Sequence, residues 1–402
     1  MEDFLKENEN VFGVYLNCNT RNGDMKCFYD YSSEDINKVN FFIHENIGNN
    51  FYITELISDR KVSVKNRQIN IENKKEKHLF NIYIKTDSNT KETSYQIKPI
   101  CNTKLLDSLE QFLWHVIDSN EGYTLGENDV LKIGYYKYVV SKIHFKDGYI
   151  STNIKDKFLD MPHMSPQLVE QKKCEYCGKI MVKICKCEPY IHLEEIEKWI
   201  KDRKISYENK KRNMKNYYFE LFYCEEKREA QKSTCNTLYP LEIKYKDDGE
   251  EYKTINLGGL NIEQENKNKN YMVLESVPEK EYGKDSNKYI KSVHIVELTG
   301  DPIKIGRNSE NDIILRDGTV SNDHAVINYD SKSHKIIIKN MSKHAGTLAL
   351  LNPKDKCINL TKEPFYFQSN RTYFETNVMS LSNFVKEKLN DNSNYPLYFD
   401  SK

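Results

Sequence analysis

The chain has 402 residues, and its 60 lysines and arginines are balanced by 60 aspartates and glutamates. That length predicts two to four domains, each able to bury a core of its own. Zero net charge supplies no basic excess for counterion release, and no run of 18 apolar residues occurs, so neither a nucleic-acid nor a membrane partner is expected.

The opening, MEDFLKENEN, is acidic and lacks the apolar stretch of a secretory leader. The chain is therefore expected in the cytoplasm, with the nucleus, cytoskeleton and cilium left open. The first 160 residues alternate β-rich runs with polar turns: FFIHE, FYITELI, HLFNIYIK and SYQIKPI. LLDSLEQFL (105–113) has helical spacing, with its leucines and Phe112 on one face. GYTLGENDVLKIGYYKYVVSKIHF reads as strand, turn, strand, with Gly126, Asn128 and Asp129 in the turn. Residues 155–173 hold two prolines and no periodicity, which predicts a linker.

An amphipathic helix is expected over 192–204, with Ile196, Trp199 and Ile200 on one stripe. KYKDDGEEYK reads as a turn between strands, and NIEQENKNKN (261–270) as a flexible loop. From Tyr271 short β runs recur every 8–12 residues or so, through YMVLESV, SVHIVEL, IKIG, DIILR, HAVINYD, HKIIIKN and GTLALL, which is the spacing of a β-sandwich. The last segment reads as a polar tail with one short helix. The expected fold class is mainly β, with a small α+β zinc module between two β regions. The expected division is 1–160, 161–255, 256–380 and a tail over 381–402.

Six of the ten cysteines fall between Cys174 and Cys235. In a reducing compartment such clustering points to metal before disulfides. The ligand-capable series is Cys174-x2-Cys177, Cys185-x-Cys187, His192, Cys224 and Cys235. Thiolates and imidazole are preferred zinc ligands, taken four at a time.

The quoted residues CEYC, CKC, YIHLEEIEKW, FYC and CNTLYP resemble, in order, the RING-CH (variant RING) zinc finger over about 70 residues. The resemblance implies two cross-braced zinc sites. The first would use Cys174, Cys177, His192 and Glu195; the second would use Cys185, Cys187, Cys224 and Cys235. Position 195 is Glu where the family has Cys, and Cys224 and Cys235 are separated by an apparent insertion. A single ion held by Cys174, Cys177, Cys185 and Cys187 is the competing arrangement, so one or two zinc ions are expected. RING fingers act in ubiquitin transfer by binding a charged conjugating enzyme. Tyr176 and Trp199 fall on the family's docking positions, but Asn236 replaces the usual cation. A structural zinc module is therefore ranked above a ligase.

IKIGRNSENDIILRDGTVSNDHAVINYDSKSHKIIIKNMSKHAGTLAL (303–350) resembles the forkhead-associated (FHA) domain. Gly306–Arg307, Ser321-x-x-His324, Asn340 and Gly346–Thr347 are that family's landmarks, in its order. The chemistry agrees with a phosphate role, since a guanidinium meets a phosphate dianion with two parallel donors. The resemblance implies that Arg307 and Ser321 clamp a phosphate, that Asn322 supports it, and that Gly306, His324 and Gly346 are structural. Ala345 stands where the family often has Asn. More weakly, LWHVIDSNEGYTLGENDVLKIGYYKYVV resembles the closing strands of an FHA domain, without an upstream G-R or S-x-x-H. The order FHA-like, RING-CH-like, FHA resembles that of a group of protist multidomain proteins.

The sequence therefore predicts a non-enzymatic adaptor with a zinc module and a reader of a phosphothreonine-containing protein. The alternatives are a RING-CH ubiquitin ligase, with a ubiquitin-conjugating enzyme as partner, and a structural component of a large assembly. No catalytic residue is named.

Overall fold

A computed structural model describes residues 11–21, 36–44, 48–56, 61–66, 76–100, 112–151, 153–154, 167–185, 190–209, 214–221, 227–228, 233–234, 241–246, 251–256, 260–277, 279–280, 289–342, 346–351, 357–369 and 372–388. Ten strands precede the 155–166 segment: β1 (Phe12–Arg21), β2 (Ile36–His44), β3 (Asn50–Leu56), β4 (Lys61–Lys65), β5 (Glu76–Thr86), β6 (Thr93–Pro99), β7 (Leu113–Val116), β8 (Tyr123–Thr124), β9 (Val130–Ile133) and β10 (Tyr136–His144). Next come β11 (Gln167–Leu168), β12 (Glu170–Lys173), β13 (Ile180–Lys183), β14 (Ile191–His192), helix α1 (Leu193–Asp202), β15 (Lys204–Asn209) and β16 (Met214–Leu221). They are followed by β17 (Lys227–Arg228), β18 (Ser233–Thr234), β19 (Glu242–Lys246), β20 (Tyr252–Asn256), helix α2 (Ile262–Asn266), β21 (Tyr271–Ser276), β22 (Glu279–Lys280) and β23 (Tyr289–Glu297). The last stretch holds β24 (Ile303–Gly306), β25 (Ile313–Ile314), β26 (Ala325–Asp330), β27 (Lys335–Asn340), β28 (Thr347–Leu350), β29 (Ile358–Leu360), β30 (Phe365–Ser369), β31 (Thr372–Ser380) and helix α3 (Leu381–Lys388). The chain is mainly β, as its alternating runs require. Among the described residues no helix is long and apolar enough to cross a membrane.

Two compact units form, and each draws on separated parts of the chain. The first comprises Met1–Gly122, Gly318–His324 and Lys339–Lys402; the second comprises Tyr123–Asp317 and Ala325–Ile338.

In the first unit one sheet runs β28-β7-β30-β31-β1-β2 and the other β29-β6-β5-β3-β4. Their inner faces share one core, with Val14, Leu16, Phe80, Ile82, Phe367 and Phe374 fully buried. The Phe80 ring meets Phe367 and Phe374 edge-on at 5.1 and 5.2 Å, and those two stack at 4.9 Å. The Gly13–Leu16 stretch of β1 is buried on both faces because α3 covers the outer one, where Phe384 stacks on Phe42 at 5.1 Å. β1 pairs with β31 from Phe12↔Ser380 to Thr20↔Thr372, so among the described residues the last strand lies beside the first.

In the second unit one sheet runs β15-β16-β23-β21-β10-β9 and another β25-β24-β26-β27-β8. β9 and β10 form a hairpin through Gly134, whose φ of +60° suits the first central position of a two-residue turn. Gly126 has no room for a side chain, since a Cβ there would lie 1.7 Å from the Asn153 carbonyl oxygen. β10 pairs directly with β21, ending at His144↔Tyr271. The segment between them folds as the small sheets β11-β19-β20, β12-β13-β14 and β17-β18 with α1 and α2, and returns β15 and β16 to the main sheet.

Three expectations change. NIEQENKNKN contains the short helix α2, in which Asn266 Nδ2 donates to the Ile262 carbonyl at 2.9 Å. The expected linker ends in strand, because β12 pairs with β13. Trp199 sits at the edge of the helical stripe and is 41% exposed, while Leu193, Ile196 and Ile200 are buried. The helix expected over 105–113 falls mostly outside the described residues, and its last residue, Leu113, opens β7.

Candidate functional site

β12 and β13 form a hairpin whose turn is residues 174–179. Cys174 N–H donates to the Lys179 carbonyl at 2.8 Å, and Gly178 N–H to the Cys174 carbonyl at 2.9 Å. Gly178 has φ +68°, a left-handed position that glycine fills without strain. β14 pairs with β13 and sets His192 opposite Met181, bringing the imidazole to the turn.

As a result one ligand atom each from Cys174, Cys177 and His192 lies within 4.8 Å of the others. Cys177 Sγ is 3.4 Å from His192 Nε2. A tetrahedral zinc would hold a thiolate and an imidazole nitrogen about 3.6 Å apart, so this donor set fits the ion. The backbone amides of Cys177 and Tyr176, then the His192 and Cys177 side chains, hold the Cys174 thiol down to about 6. A lowered thiol pKa favours the thiolate, the form in which cysteine can bind a metal.

Glu195 is not in the group. Its Oε1 lies 3.8 Å from His192 Nδ1, the ring nitrogen other than the one at Cys177. A carboxylate on that side is a usual means of orienting a metal-bound imidazole. Cys185 is buried and also stands outside the group. Cys187, Cys224 and Cys235 lie outside the described residues.

The phosphate-reading candidates divide between the units. Arg307, in the second, is exposed directly after β24, while Gly306 is buried. The loop behind Arg307 is braced by its own backbone: Asp312 N–H donates to the Lys304 carbonyl at 3.0 Å, and Leu315 N–H to the Gly306 carbonyl at 2.9 Å. The Asp312 carboxylate accepts from Lys304 N–H at 2.9 Å.

Ser321, Asn322, His324 and Gly346 belong to the first unit. Ser321 N–H donates to His324 Nδ1 at 3.0 Å, which leaves the ring proton of the neutral imidazole on Nε2. Ser321 Oγ lies 2.7 Å from Ser342 Oγ, and Met341 N–H donates to the His324 carbonyl at 2.8 Å. Asn340 Oδ1 accepts from Ser342 N–H, Thr347 N–H and Thr347 Oγ1 at 3.3, 3.2 and 3.1 Å. Burial pushes the His324 pKa down to about 4, and the Gly346 backbone offsets part of that push. Nε2 has no hydrogen-bond partner among the described residues, so the Gly346 contact stops short of a bond. Asn322 is exposed, whereas His324 and Thr347 are fully buried.

Residues 303–354 match the FHA domain. No characterised protein and no solved structure compared with the chain matches it. The FHA match starts at the first residue of β24 and takes in Arg307, Ser321, Asn322, His324 and Gly346. It does not include β9, β10, β21 or β23, which form the other sheet of the second unit. Within the FHA segment, Ser342 went unforeseen as the partner of Ser321. A hydroxyl two residues after Asn340 gives no signal of its own. Ala345 lies outside the described residues.

Proposed function

We propose that this chain is a non-enzymatic adaptor that reads a phosphothreonine-containing protein through its FHA domain and carries zinc in its central module. The observation that carries the reading is the FHA match over 303–354, with Arg307 exposed on a braced loop. A guanidinium there can meet a phosphate with two donors; Ser321 and Asn322 carry the hydroxyl and the amide to which the FHA resemblance assigns a phosphate role. His324, buried and neutral, holds the Ser321 loop and does not touch the ligand. Calorimetry of the full chain against a degenerate phosphothreonine peptide library tests this reading. Removing a bidentate partner of the phosphate costs about 2–5 kcal/mol, so Arg307→Ala should abolish a micromolar complex.

Zinc is supported by the fit of Cys174, Cys177 and His192. Glu195 would orient His192, and Cys185, Cys187, Cys224 and Cys235 remain the candidates for completing this site or forming a second. Elemental analysis should find one or two ions per chain. A second reading, a RING-CH ubiquitin ligase, is favoured by the exposure of Tyr176 (98%) in the cysteine turn and of Trp199 on α1. Autoubiquitination with a panel of conjugating enzymes, lost on Trp199→Ala, would promote it above the adaptor.

A further inference from the structure

We propose that the metal group controls the FHA-matched fold: metal loading at Cys174, Cys177 and His192 holds that fold in its peptide-reading state. This rests on the zinc reading above, and three independent observations place the two modules in one mechanical unit.

The first is register. β10 and β21 are sheet neighbours, and His144 faces Tyr271. Residues 145–270, which hold the metal group, therefore leave and rejoin the sheet at one point. They also extend it, because β16 pairs with β23 from Lys215↔Ile295 to Leu221↔Tyr289. The metal module is an insertion whose own strands build part of the sheet it interrupts.

The second is a shared core. Val182 on β13, with Ile196 and Ile200 on α1, belongs to the same buried cluster as Val273 on β21 and Val293 and Ile295 on β23. Val182 stands in the strand that joins the cysteine turn to His192 through its pairing with β14. One face of β21 and β23 thus owes its cover to the elements that present the ligands.

The third is the stem. Phe145 stacks on Tyr329 at 6.0 Å and meets His334 edge-on at 4.9 Å, and Tyr149 stacks on His334 at 4.4 Å. Asn270, at the other end of the insertion, donates from Nδ2 to Tyr329 Oη at 3.3 Å and accepts from Lys146 N–H at 2.9 Å. Tyr329 and His334 flank the β26–β27 turn inside the FHA match. Both ends of the insertion are clamped to the reader.

Among the described residues the strands that carry the ligands bury little apolar surface, and their other ties, such as Lys179 to Glu194 and Gln171 to the Lys246 backbone, are exposed. All four residues of β12 are exposed, and Val182 is the one fully buried residue of β13. A three-stranded element this thin is marginal without a staple. When the ion leaves, Val182 and the α1 stripe lose their anchor, and β21 and β23 lose cover on one face. An ion present at 100 times its dissociation constant suppresses any opening that breaks its site on the order of 100-fold. Opening of β21 and β23 is such a process, because it passes through the shared core.

The test uses the full chain, zinc-loaded and chelator-stripped, with zinc content measured by elemental analysis. Hydrogen exchange is followed in β21, β23 and β26, and retention of a degenerate phosphothreonine peptide library is measured on the same samples. Stripping should speed exchange in β21 and β23 on the order of 100-fold, weaken peptide retention at least about tenfold, and be reversed by added zinc. Ile196→Ala, which leaves the ligands in place, should speed exchange in the same strands with zinc still bound. Loss of zinc with unchanged exchange and retention would overturn the coupling, as would an unaffected Ile196→Ala. A chain that never takes up zinc would overturn both the coupling and the zinc reading, yet leave peptide retention standing. A chain that retains no peptide in either state would remove the reader, and the exchange data alone would then decide the coupling.

Discussion

At Cys174, Cys177 and His192 the donors stand on half-buried and exposed positions of a short turn and of the two-residue strand β14, whereas His324 and Thr347 are fully buried and held by hydrogen bonds. The difference is one of preorganisation. Hydrogen bonds and burial fix the Ser321 loop before any ligand arrives. The cysteine turn brings its donors together but leaves them little apolar cover, so an ion bound there would have most of the holding to do. Perturbations that separate these two ways of building a site should give effects of very different size.

The largest effect is expected at the cysteine turn. Structural zinc contributes about 10–16 kcal/mol of apparent folding free energy in small zinc-binding peptides. Cys174→Ser, or chelation, should therefore open β12–β14 to limited proteolysis first, while the Ser321 loop stays protected. Cleavage elsewhere at the same rate would remove the contrast.

Acid should cost the His324 region next most. The His324 pKa is about 4 in the folded chain against an ordinary 6.5, so between those values the unfolded chain takes up a proton that the folded chain refuses. Stability from this group is full above pH 6.5, falls between pH 6.5 and 4, and is level below. The total loss is about 3 kcal/mol. Denaturant midpoints across that window should show the slope, and His324→Asn should remove it. His294 adds to the same trend in the second unit, where burial pushes its pKa down to about 3 beside Asn216 and Ser292.

A smaller cost is expected at Asn340. Its Oδ1 accepts three hydrogen bonds, so Asn340→Ala leaves the Ser342 and Thr347 donors unpaired, at about 1–3 kcal/mol. Thermal melting should fall by several degrees with zinc content unchanged. The smallest change in stability is expected for Arg307→Ala. It removes an exposed loop cation and should stay within about 0.5 kcal/mol of the parent.

Much of the fold was legible because its signals are local. HLFNIYIK and HKIIIKN are β-rich runs, and each forms a strand in which buried positions recur every second residue, Phe80, Ile82 and Ile84 in one and Ile336 and Ile338 in the other. Cys174-x2-Cys177 is a short local spacing, and it falls on the turn between β12 and β13. By contrast, pairings such as Thr20↔Thr372 join segments whose sequences carry no mark of each other. The same is true of His144↔Tyr271. Composition along the chain carries no sign that strand pairing assembles each compact unit from separated segments. The candidate metal group is legible in its ligand types and in part of its geometry. Glu195 falls in register with a family cysteine, and its carboxylate lies 3.8 Å from the far nitrogen of His192, a placement that no sequence register announces. The α2 turn escaped notice because a polar, asparagine-rich segment gives no apolar stripe.

Calorimetry of the full chain with a degenerate phosphothreonine library, run on the parent and on Arg307→Ala, tests the central claim most directly. The account predicts binding by the parent and none by the variant, with both melting at the same temperature. Equal binding by the two, or no binding by the parent, would contradict it and leave the FHA fold as a packing element of a larger assembly.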